Sequence, residues 1–272
     1  MKENYQQFIL DHYKKVASMN KLLPTSSMAD QTIRNAEVEF FCKEIEMLYR
    51  KKKDLRVFEA GPGNGYLLSI LKERFPKIKL FALEFSPELY QLILSRDLKG
   101  LKVKCGSICK ENDIPEEWGK FDVIICERVI INILNRKDQY LACHNIAQRL
   151  LKKGYFIMSE SFKEPLQNLN NARSDFSLTP IEESPHNDYL SEKFIEKWCA
   201  QEKLREISGQ SRTHFLSTHF YLTRIIHEGL RHLGEKNNEI RPKFAHLLTF
   251  LEAAFPPAVG QFSPILFRVF QK

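Results

Sequence analysis

From Leu55 to Glu160 the chain repeats one pattern, a short apolar run and then a longer stretch with apolar positions at helical spacing. The apolar runs are Leu55–Phe58, Lys79–Glu84, Leu101–Cys105, Phe121–Glu127 and Tyr155–Glu160. Each is bounded by charged or glycine-rich residues and has no helical period, which predicts five buried strands. Between them lie amphipathic stretches such as Tyr66–Phe75, the segment opening at Ser86-Pro87-Glu88, and Lys137–Leu151 with Gly154 as its C-cap. Strand followed by helix, repeated, implies a parallel sheet with right-handed crossovers.

The pattern differs on either side. Residues 4–17 and about 28–49 each carry apolar residues on one face, and Ser27 with Asp30 resembles a capping box for the second. These helices precede the first strand and predict an N-terminal helical cap over residues 1–50, with the remaining domain at 51–272. Residues 161–190 lose the alternation. They hold Pro165, Pro180, Pro185 and three asparagines between 168 and 171, which predicts an irregular, acceptor-side loop. Helices are expected over 191–200, 218–233 and 244–255, and strands over 204–208 and 265–270. The second inserted region spans about 211–262.

Composition narrows the class little. The chain has 272 residues, 43% of them hydrophobic and 28% charged, as in an ordinary globular protein. No apolar run reaches membrane-span length, and the N-terminus lacks a secretory signal, so a cytoplasmic location is expected. The six cysteines show no paired metal spacing; reduced thiols and no metal are expected. Net charge is +7, but acids interleave with the bases. That distribution makes nucleic acid an unfavoured partner.

The chemistry gathers at Glu59-Ala60-Gly61-Pro62-Gly63-Asn64-Gly65, between the first strand and its helix. Glycines there allow positive φ and close approach of a ligand to the backbone. A dinucleotide fingerprint would need glycine at position 66, where this chain has Tyr66. The closer E-x-G-x-G-x-G spacing resembles the first motif of class I S-adenosylmethionine-dependent methyltransferases. Glu84, at the end of the second strand, matches the family's second motif, a carboxylate with acceptor sites for two ribose hydroxyls. Phe121–Glu127 matches the fourth. Asp30–Arg34 and His186–Leu190 resemble stretches of a bacterial subgroup.

The resemblance implies an α/β fold, a seven-stranded, doubly wound, mostly parallel sheet with an antiparallel last strand between the fifth and sixth. To this the helical cap and inserted lid segments are added. It implies S-adenosyl-L-methionine as cofactor, held by Glu59, Gly61, Gly63, Gly65, Glu84, Phe85, Ser107, Ile108 and Glu127. At Ser107 the family commonly has an aspartate for the adenine amino group. The Cys126-Glu127-Arg128-Val129 run also departs from the signature of enzymes that methylate exocyclic base amines. Candidate catalytic residues are Glu127, Arg128 and His186, with His219 as another possible base. Arg34, Arg173 and Tyr221 are expected to bind a small, anionic acceptor through O or N, since arginine grips such groups bidentately. RNA- or protein-directed methylation, a non-catalytic cofactor-binding protein and a nucleotide-dependent oxidoreductase are the alternatives. The oligomeric state is left open.

Overall fold

A computed structural model describes residues 5–26, 28–209, 213–236 and 245–272, with the side chains of 233–236 and 245–249 left aside. Seven strands form one sheet in the order β3-β2-β1-β4-β5-β7-β6. They are β1 (Arg56–Ala60), β2 (Lys79–Glu84), β3 (Lys102–Cys105), β4 (Phe121–Glu127), β5 (Leu150–Ser161), β6 (Arg205–Glu206) and β7 (Ile265–Gln271). β1 to β5 pair in parallel, whereas β7 runs antiparallel to β5 and β6. Six strands therefore share a direction and the last opposes them, as expected.

The strands are apolar because both faces are covered. On one face Phe58, Phe121 and Phe156 pack against α5 (Arg136–Gln148) and α7 (Glu192–Glu202), where Trp198 is almost fully buried. On the other, Val57, Ile125 and Phe267 meet α2 (Gln31–Lys51), α3 (Tyr66–Arg74) and α6 (Lys163–Ser174). α2 is thus a core helix, with Phe41 and Ile45 fully buried. α1 (Tyr5–Asn20) buries only Ile9 and Ala17, and it lies near α4 (Pro87–Ser95).

Four local expectations need correction. The N-cap of α2 is Asp30, whose side chain accepts from Thr32 N and Ile33 N; Ser27 lies outside the described residues. Gly154 does not cap α5, which ends at Gln148. It sits inside β5, where a Cβ would lie 2.8 Å from the Leu151 carbonyl oxygen, so a side chain has no room. The expected irregular loop begins later, because residues 163–174 form α6. Pro165 misleads: it falls in the first turn, where a missing N–H breaks no intrahelical bond. Leu166, Leu169 and Arg173 supply the buried face. Finally, the expected helix over 218–233 is a composite. Ser217–Phe220 is α-helical, Tyr221–Ile226 is a π-turn, and His227–Lys236 is α-helical again.

Candidate active site

The carboxyl ends of β1, β2 and β4 open into a cavity of about 480 Å³. Gly61, Gly63 and Gly65 all have positive φ, at 67°, 59° and 75°. A Cβ on Gly61 would collide with Val129, and one on Gly63 would project into open space. The loop is therefore both close-packed beneath and bare above. Gly61 and Gly63 line the cavity, while Gly65 is the N-cap of α3 and does not. Asn64 donates to the carbonyls of Lys21 and Leu23, each at 2.9 Å, and Arg96 donates to those of Asn64 and Leu22. These bonds fasten the α1–α2 connection onto the glycine loop.

Glu84 is 5% exposed. Its Oε2 accepts from Gly63 N at 2.9 Å and its Oε1 from Ser86 N at 2.8 Å. Burial pushes its carboxyl up to about 7 despite those amides. Each carboxylate oxygen has further acceptor capacity, and Glu84 faces the cavity. Phe85, Ser107 and Ile108 line the same end. The Ser107 hydroxyl accepts from Cys109 N, and its own N–H is held by Asp113 at 2.8 Å.

Glu59 lies below this surface, 1% exposed and outside the cavity wall. Burial, with the nearby Glu127 carboxylate adding to it, raises its carboxyl to about 8. Its Oε2 has no hydrogen-bond partner among the described residues. That oxygen lies outside the cavity, so what a ligand meets is the bare Gly63 loop and the spare acceptor sites of Glu84. Open space over the glycine backbone beside a carboxylate that can accept from two hydroxyls makes the residues present a fit for S-adenosylmethionine.

Beside this lies a compact set of charges. Arg34 from α2 pairs with Glu127, and Arg128 pairs with both Glu37 and Glu127. Ser159 donates to Glu37 at 2.8 Å. Burial opposes ionisation of Glu127, but the two guanidiniums hold its carboxyl below the ordinary value. Burial wins at fully buried Glu37, whose carboxyl rises to about 7. Arg128 adopts a left-handed φ of 52°. The turn after it is fixed from beneath by buried Glu160, which accepts from Val129 N, Ile130 N and Ile131 N. That carboxylate occupies an amide nest of the sort that binds anions.

The far wall comes from α1, α6, the loop 175–190 and the composite helix. Tyr13 donates to Asn132, whose amide reaches the His186 carbonyl and Asn187 Oδ1. His186 faces the same cavity as Gly63 and Glu84. It stacks on His12 with ring centroids 4.0 Å apart, and burial pushes its imidazole down to about 4. Asp30 accepts from His219 and Arg224, each at 3.1 Å, and the other ring nitrogen of His219 faces Glu252 at 3.0 Å.

Arg34, Glu127, Arg128 and His186 therefore meet in one cavity. Arg173 and Tyr221 do not line it. Arg173 is consumed by the carbonyls of Thr179 and Arg224, clamping the loop onto the composite helix. Tyr221 packs against Phe262 with the two rings tilted and their centroids 5.1 Å apart. Glu37, Asn64, Asn132 and Glu160 were missed, and nothing local marks them, because their partners are distant in sequence. Among the described residues no group of His, Cys, Asp and Glu could hold a metal, and no helix is long and apolar enough to cross a membrane.

No curated protein matches the chain. Among solved structures, magnesium protoporphyrin IX methyltransferase from Synechocystis PCC 6803, with bound S-adenosylmethionine, is 10% identical with a TM-score of 0.58. The match covers 98% of this chain and 97% of that one. A protein assigned as a sarcosine dimethylglycine methyltransferase from Galdieria sulphuraria is 16% identical with a TM-score of 0.53, covering 89% and 87%. At such identities the likeness is one of fold. The family model described as a methyltransferase domain matches residues 51–228, more than half of the sequence. The chain belongs to that methyltransferase family, and S-adenosylmethionine is its cofactor.

Proposed function

We propose that the protein transfers the methyl group of S-adenosylmethionine to O or N of a small molecule bound between β4 and the loop 175–190. The observation that carries this is the single cavity. It joins the Gly63–Glu84 cradle to a walled chamber that β4, α6 and the composite helix enclose. The cofactor supplies an electrophilic sulfonium methyl. In this reading Glu84 receives the ribose hydroxyls, and Gly61 and Gly63 give the backbone room. Glu59 lies beneath the methionyl end, and Phe85, Ser107 and Ile108 enclose the adenine. Gly65 acts indirectly by setting the turn into α3.

Glu127 and Arg128 border both halves. Their fixed pairing with Arg34 and Glu37 orients the donor against the acceptor, and positioning supplies much of the catalysis in such displacements. His186 stands on the wall with its imidazole pushed down to about 4, too weak a base to hold the acceptor's proton, which is therefore released to water. It also borders a second cleft lined by His12, Asn20 and Thr25, through which that proton reaches solvent.

The sequence suggested an anionic acceptor held by arginines. Arg34 and Arg128 do stand on the wall, yet both are already paired with carboxylates. A small-molecule acceptor remains the better reading over RNA or protein, since the chamber is walled by α1 and by the loop. The test is calorimetry. S-adenosylmethionine and S-adenosylhomocysteine should bind at one site, and tight NAD binding with no response to either would overturn the reading.

A further inference from the structure

We propose that the acceptor is an uncharged molecule with a largely apolar body, presenting one neutral hydroxyl or amine to the donor. This deepens the methyltransferase reading and rests on it. The acceptor side of the cavity lies toward β5 and β7, because the cofactor cradle occupies the ends of β1 and β2. Its wall there is Leu169, Ile181, Tyr189, Phe220, Pro264 and Ile265. These are apolar or aromatic, and they come from four separate elements.

The charges on the wall are compensated. Among the described residues lining the cavity, the cationic side chains are Arg34, Arg128 and Arg224. Arg34 pairs with Glu127, Arg128 with Glu37 and Glu127, and Arg224 with Asp30. The lining carboxylates are Asp30, Glu84 and Glu127. Two of them are held in those pairs, and the third faces the cofactor cradle. His186 carries no charge at neutral pH. A carboxylate or ammonium entering this chamber would shed its hydration without gaining a counter-charge, which is strongly unfavourable. An apolar body loses nothing on entry, and Tyr189, Ser161 and Asn187 leave polar contacts for orientation.

Such an acceptor balances the chemistry. A lone pair on its oxygen or nitrogen forms the new bond to carbon as the carbon–sulfur bond breaks. Sulfur keeps that electron pair and becomes a neutral thioether. The acceptor's proton leaves to water through the cleft that His186 borders.

The probes are a matched naphthyl set titrated into protein saturated with S-adenosylhomocysteine: 2-naphthol, 2-naphthoate and 2-naphthyltrimethylammonium. 2-Naphthol should bind at least tenfold more tightly than either ion. Equal or tighter binding of an ion, or no binding of any member, overturns the proposal while leaving the cofactor reading intact. Failure of S-adenosylhomocysteine itself to bind removes both. A variant guards the result. Ile181→Arg adds an uncompensated guanidinium to the loop and should raise naphthoate affinity at least tenfold relative to naphthol; an unchanged preference contradicts the inference.

Discussion

The cavity has two halves built in different ways. The cofactor half is assembled by neighbours in the chain: Gly61, Gly63 and Gly65 follow β1, Glu84 ends β2, and Ser107 follows β3. Glu84 is held by Ser86 N two residues on and by Gly63 N 21 residues back. The acceptor half is held by long reaches. Arg34 meets Glu127 across 93 residues, Ser159 meets Glu37 across 122, and His219 meets Asp30 across 189. The first half depends on backbone conformation set locally. The second depends on side-chain pairs that exist only once the whole domain has closed.

Breaking the pairs should therefore cost fold, and breaking the cradle should cost binding. The largest effect is expected at Glu37→Ala. It leaves the buried Arg128 short of a partner, and removing one partner of a buried pair destabilises by about 3–5 kcal/mol. Thermal unfolding should show a fall in Tm of several degrees or outright failure to fold, and an unchanged Tm would show that Glu37 is dispensable to the set.

Glu84→Ala comes next. Loss of hydrogen bonds to a charged group costs about 1.5–3 kcal/mol, a weakening of S-adenosylhomocysteine binding on the order of tenfold to a hundredfold. Calorimetry is the check. Gly63→Val should also weaken binding steeply, because φ is 59° and the side chain would fill ligand space.

The third effect is one of pH. The Glu84 carboxyl is raised to about 7 and that of Glu59 to about 8. Groups raised on folding contribute stability that is fully present below their unfolded value, near 4.5, and is lost as pH climbs through 7 to 8. The unliganded protein should thus melt lower at pH 8.5 than at pH 6. If the ribose hydroxyls donate to ionised Glu84, as proposed, affinity should rise over the same interval, by less than about tenfold per pH unit. A flat affinity profile from pH 6 to 8 would remove Glu84 from the binding step.

The smallest is His219→Ala. It loosens Asp30 and Glu252, a loss of about 1 kcal/mol. Cofactor affinity should stay within about threefold while turnover of an acceptor falls. A variant that loses both equally would mean that the two halves are not separable.

The same division explains what the sequence made legible. The glycine loop, Glu84 and the strand–helix alternation of a parallel sheet were readable because each rests on spacing within a few tens of residues. The antiparallel β7 followed from the resemblance. Arg173 was misplaced because an arginine's partners cannot be read from its neighbours. It meets carbonyls of Thr179 and Arg224 rather than a ligand. α6 was hidden by Pro165 and by three asparagines, of which Asn168 and Asn171 are exposed while Asn170 is half-buried and bonds the backbone of Ile181. Glu160 looked like a strand terminus; only the folded turn of Val129–Ile131 shows its carboxylate filling a nest of amides.

The most direct measurement is a crystal structure of the protein with S-adenosylhomocysteine. The ribose hydroxyls should lie within hydrogen-bonding distance of the Glu84 carboxylate, with the methionyl chain over Gly63 and the sulfur facing Glu127 and Arg128. Ligand density away from Glu84, or a ribose whose hydroxyls point from it, would contradict the account.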